Sequence, residues 1–113
     1  MSKAPADFSS FAALDIRVGA IVSAVPADTR SPTLRMQIDF GPEIGVKVSC
    51  GAYTSYDPAA LPGKLVLAVV NFPPRRMGPE VSEVLVLGVP NPAGPGAVFL
   101  TVDRQAPNGA EVF

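Results

Sequence analysis

Thirteen prolines and ten glycines are spread along 113 residues, and they fall between short apolar runs. Proline fixes φ and removes a backbone donor, and glycine weakens element interiors. Punctuation this dense leaves room for short strands and turns, and none for a bundle of long helices. The longest apolar run, Leu65-Val66-Leu67-Ala68-Val69-Val70, has the length of one buried strand. It falls well short of the roughly 18 residues of a spanning helix, so no membrane insertion is expected.

Between the breakers the strand signal is explicit. Asp15 to Val25 reads as a long first strand, with Gly19 as the place for a bend or bulge. Leu34-Arg35-Met36-Gln37-Ile38-Asp39-Phe40 alternates apolar and polar, which gives a second strand with one buried face. Gly41 to Gly45 turns the chain, and Val46-Lys47-Val48-Ser49-Cys50 alternates again as a third strand. Gly51 to Ala60 is expected to hold a short helix. Leu65–Val70 forms the fourth strand, and Glu83–Leu87 with Val98–Val102 supply the last ones. At the start, Ser9 or Ser10 is placed to cap a helical turn on Phe11 to Ala13. An Asn-Gly turn signal lies at Asn108-Gly109. The chain is thus one domain over residues 1–113, and the pattern points to a Greek-key OB barrel. Periodicity alone leaves an SH3-like barrel and a small sandwich as rivals.

Composition narrows the chemistry. The chain has no histidine, one cysteine and no paired carboxylates, so the usual general base and metal ligand are missing. No catalysis, metal or cofactor is expected. Cys50 reads as a small buried hydrophobe, and a lone cysteine without an apolar leader fits a reducing cytoplasm. Charged residues make up only 17% of the chain, below the roughly 25% typical of soluble domains. Self-association that covers an apolar patch explains that deficit. A net charge of -1 means that any nucleic-acid binding must come from a local patch.

The best candidate for that patch is Asn71-Phe72-Pro73-Pro74-Arg75-Arg76-Met77-Gly78, read as a loop between strands four and five. Two prolines stiffen the approach to Arg75 and Arg76, whose planar forks suit phosphate oxygens and stack on bases. The same pair would otherwise be solvated or held by Glu80 or Glu83. Lys47 and Ser49 on strand three, and Arg35 and Gln37 on strand two, are expected to share the polar face where OB barrels bind ligands. Asn71 and Ser82 at strand ends either contact a ligand or cap turns. Phe72, Tyr53 and Tyr56 are the aromatic candidates for stacking, although Phe72 ends a buried strand and one tyrosine should pack inward.

Three stretches carry a resemblance. Leu14-Asp15-Ile16-Arg17-Val18-Gly19-Ala20-Ile21 resembles the opening strand of tRNA-binding domains. Asn71-Phe72-Pro73-Pro74-Arg75-Arg76-Met77 with Ser82-Glu83-Val84-Leu85-Val86-Leu87-Gly88 resembles their signature segment, in the form found in the CsaA branch. Ile38 to Gly45 and Pro107-Asn108-Gly109 match the same branch, so the likeness runs from Phe8 to Val112. It implies an OB fold, a homodimer and tRNA binding. It also implies a chaperone role toward unfolded or export-destined precursor polypeptides, in contact with the protein-export machinery. Arg75, Arg76, Lys47, Asn71, Ser82 and Phe72 are the residues expected to serve binding. The chain has fewer lysines near the second strand than the wider family, and Val84-Leu85 where Gly-Met is frequent; both features are typical of the CsaA branch.

Overall fold

The computed structural model describes residues 1–113 and is almost entirely β. Its organising element is β1 (Ile16–Pro26), which is long enough to serve two neighbours. Ile16 to Ala20 pair with β4 (Leu65–Val69), whereas Ala20 to Pro26 pair with β2 (Leu34–Asp39). β2 in turn pairs with β3 (Val46–Gly51). After a hairpin of β5 (Arg75–Met77) and β6 (Glu80–Ser82), the short β7 (Leu85–Val86) joins β4. The resulting order β3-β2-β1-β4-β7 is that of a five-stranded Greek-key OB barrel. A second hairpin, β8 (Gly88–Pro90) with β9 (Ala97–Phe99), follows it.

The barrel seam lies between β3 and the residues leading into β7, and a side chain completes it. Glu83 N–H donates to Val48 O at 2.8 Å, and Val48 N–H donates back to Glu83 Oε1 at 3.0 Å. The seam is therefore nearly closed without a full ladder. The other open edge, along Ile16–Val18, is sealed by residues 109–112. Gly109 N–H donates to Val18 O, Val18 N–H to Ala110 O and Val112 N–H to Ile16 O.

The bend in β1 falls elsewhere than expected. Its register shifts between Ile21 and Ser23, just past Ala20, where the strand exchanges one partner for the other. Gly19 serves packing instead: a Cβ there would stand 2.6 Å from Ile38 Cγ2 and 2.7 Å from the Phe40 ring.

Inside, Ile21, Leu34, Met36, Ile38, Phe40 and Val66 form the centre of the core. One end is filled by aromatic rings. Tyr53 stacks on Phe99 with centroids 4.1 Å apart, and Tyr56 tilts against the same ring at 4.7 Å. The helix expected over Gly51–Ala60 is a single 3-10 turn at Pro58–Ala60, started by Asp57, whose carboxylate accepts Ala59 N–H. It does stand between strands three and four, but the tyrosines precede it. At the start, α1 spans Phe8–Ala12 with Asp7 in the N-cap position, so Ser9 and Ser10 lie within the helix and cap nothing. A second one-turn helix, α2 (Gly41–Ile44), occupies the expected turn. No helix is long and apolar enough to cross a membrane.

Candidate ligand-binding site

The segment expected as a loop around Arg75 is the β5–β6 hairpin. Arg75 pairs with Ser82, Arg76 with Val81 and Met77 with Glu80. Gly78 takes the turn at φ 63, a backbone region that costs glycine little, and Pro79 follows it. Both arginines are exposed. Their hydrogen bonds go to neutral partners: Arg75 Nη2 to Met77 Sδ at 3.7 Å and Arg76 Nη1 to Gly78 O at 3.4 Å. Neither forms a salt bridge, because the nearby carboxylates are used otherwise. Glu80 pairs with Arg35, and Glu83 accepts Val48 N–H. The structure thus separates the hairpin arginines from the two acids that sequence offers as their partners.

The strand pairing corrects the expected polar face. Residues directly opposite in an antiparallel pair share a face. Lys47 faces Ile38 and Ser49 faces Met36, so both stand on the core side of β3. Ser49 is buried and Lys47 half-buried. Val46, Val48 and Cys50 share the outer face with Asp39, Gln37 and Arg35. The reason is the hairpin, which folds over this outer face and gives Val48 and Cys50 apolar cover. Lys47 is therefore not brought together with Arg35, and it lines no groove with the hairpin arginines.

The base of the hairpin and the chain leaving it frame a groove of about 370 Å³. One wall is Phe72, Pro73, Pro74 and Arg75; the other is Glu83, Val84 and Leu85, with Cys50 and Ser82 beneath. Phe72 is 43% exposed and Leu85 44%, so Phe72 belongs to this wall and not to the core where the end of a buried strand would put it. Burial pushes the Cys50 thiol up, and the charge of Glu80 adds to that while Arg35 opposes it, so the floor stays neutral.

Ser82 and Asn71 build the site's frame. Ser82 Oγ is buried, accepts Cys50 N–H at 3.0 Å and donates to Val84 O at 3.1 Å. Asn71 accepts Asp15 N–H and donates to Ala13 O, both at 2.9 Å, which pins the lead-in chain beside Phe72. Tyr53 and Tyr56 face the core end and take no part. The groove residues that sequence reading did not assign to binding are Cys50, Pro73, Pro74, Glu83, Val84 and Leu85. An outward leucine in the expected Glu83–Leu87 strand was a signal for Leu85, and Pro73 and Pro74 stood in the candidate segment as stiffeners only.

The opening motif has a structural role of its own. Arg17 is 8% exposed and binds Asp15 (Nε–Oδ1, 2.6 Å), Glu43 (3.1 Å), Glu111 (3.4 Å) and the carbonyl of Gly109 (3.1 Å). These carboxylates, Asp15 first, hold the guanidinium still more firmly in its charged form. The motif arginine therefore fastens residues 109–111 and α2 to β1, away from any groove wall.

Comparison with known proteins agrees with this architecture. Residues 16–111 match the family described as "Putative tRNA binding domain". The structure of CsaA from Bacillus anthracis is 42% identical, with a TM-score of 0.89 over 97% of this chain and 100% of that one. CsaA from Picrophilus torridus gives 34% identity and a TM-score of 0.90, over 96% of this chain and 100% of that one. Methionine–tRNA ligase from Acidithiobacillus ferrooxidans is 36% identical over 102 residues, 90% of this chain. The chain spans only about 15% of the ligase's length. With the barrel, the arginine hairpin and full-length similarity in agreement, the chain belongs to the tRNA-binding domain family and, within it, is CsaA-like.

Proposed function

We propose that this protein is a molecular chaperone that holds unfolded or export-destined polypeptide segments in the groove between Phe72–Arg75 and Glu83–Leu85. The observation that carries this reading is the groove itself. It combines the exposed apolar side chains of Phe72 and Leu85 with a rigid Pro-Pro segment and a neutral floor, which suits reversible capture of apolar side chains. The CsaA structures, named as chaperones and similar over their full length, support it. The protein works in the cytoplasm as a homodimer, and clients pass from it to the export machinery. The reading is tested by aggregation of a chemically denatured client followed by light scattering. A several-fold excess of the protein should slow the aggregation, and Leu85→Glu should abolish the effect. No slowing by the unaltered protein would overturn the reading.

A second capacity, tRNA binding, is favoured by a separate observation: Arg75 and Arg76 are exposed, adjacent and free of carboxylate partners. Family membership supports it as well. Binding should weaken with salt, and Arg75→Ala with Arg76→Ala should lower the slope of log K against log salt by about 1.5, two phosphate contacts' worth. A salt-insensitive protein that ignores tRNA would exclude this capacity and, with it, the alternative of a dedicated tRNA-binding module.

A further inference from the structure

Arg35 stands on the outer face of β2, beside the hairpin, and differs from Arg75 and Arg76 in one respect. Its Nε lies 3.4 Å from Glu80 Oε1. The other oxygen of that carboxylate accepts the N–H of Asp28 at 3.1 Å, so Glu80 is held from two directions. The pair occupies a depression of about 440 Å³ that also includes Val48, Pro74 and Pro79. Arg35 keeps 38% side-chain exposure and Glu80 18%. A guanidinium reachable from solvent therefore lies next to the hairpin, already neutralised by Glu80.

From this arrangement we infer that Glu80 is the specificity-determining residue of the face: it withholds Arg35 from phosphate ligands and so tilts selection from tRNA toward polypeptide. The inference rests on the reading that this face takes both ligands. A phosphate oxygen and the Glu80 carboxylate compete for the same fork, and the carboxylate is already in place. Its own charge also repels a phosphate approaching Arg35. The Asp28 N–H keeps the carboxylate from swinging aside. An apolar segment in the neighbouring groove rests on Phe72, the prolines, Val84 and Leu85, and neither Arg35 nor Glu80 lines that groove.

The test replaces Glu80→Gln, which keeps an oxygen for Asp28 N–H and removes the charge. Labelled bulk tRNA and a labelled apolar peptide are titrated at several salt concentrations with the unaltered protein, Glu80→Gln, and Glu80→Gln combined with Arg35→Gln. Asp57→Asn serves as a charge control; Asp57 caps the 3-10 turn and lines neither groove. Glu80→Gln is expected to bind tRNA several-fold more tightly, with a salt slope steeper by about 0.7 to 0.9 for one added phosphate contact. Peptide affinity should not move, and the double variant should lose the gain. Glu80→Ala should act in the same direction, so a folding defect in one variant does not decide the matter. An unchanged slope in both Glu80 variants would overturn the inference. So would an equal gain in Asp57→Asn, or a gain that survives in the double variant. If the unaltered protein and all variants bind neither ligand, the functional reading itself fails and takes the inference with it.

Discussion

Gly19 has no room for a side chain, since the fully buried Phe40 ring and Ile38 fill the space a Cβ would need. Gly19→Ala should cost about 1–3 kcal/mol through overpacking, read as a lower urea midpoint. Tyr53 gives a prediction of another kind. Burial pushes its phenol up to about 12, against about 10 in an unfolded chain. A folded-state pKa above the unfolded one leaves stability intact below about pH 10 and erodes it as pH rises toward about 12. Thermal melts should therefore fall over that window, and fall less in Tyr53→Phe. That variant should lose about 1 kcal/mol at neutral pH for its missing hydrogen bond to Val86 O. Arg17 and Gly19 were both legible as motif residues. Their reasons were not, because the carboxylates around Arg17 come from residues 15, 43 and 111 and meet only in the folded barrel.

At the scale of elements, the strands were legible from alternation and the Pro/Gly punctuation, and β1 to β4 lie within a residue or so of their expected spans. Which side of β3 looks inward was not. Alternation divides Val46-Lys47-Val48-Ser49-Cys50 into two sets, but a covered outer face reverses their meaning. The cover is a hairpin that reads as a loop, since its strands are only three residues each. Glu83 connects the two elements through Val48. Glu83→Ala should speed hydrogen exchange at the Val48 amide and cost about 1–3 kcal/mol for the unpaired donor. Glu83→Gln, which retains an acceptor oxygen, should leave that amide protected.

For the whole molecule, exposed apolar residues remain after the barrel has closed. Phe8 is 78% exposed and Phe11 39%, in addition to the groove residues Phe72 and Leu85. Surface of this kind is ordinarily covered by a partner, and the homodimer proposed above would cover it with a second copy of the chain. Sedimentation equilibrium should return twice the 11.7 kDa of one chain, and a single-chain mass at micromolar concentration would refute the dimer. The seal along Ile16–Val18 has a bearing on biosynthesis. Arg17 meets Gly109 across 92 positions, so the first strand made waits for residues 109–112 before its edge is covered. Contacts this distant fold slowly, and none of them can form while residues 109–112 are still inside the ribosome. During translation this protein presents to the cell an unpaired strand edge of the kind that chaperones exist to shield.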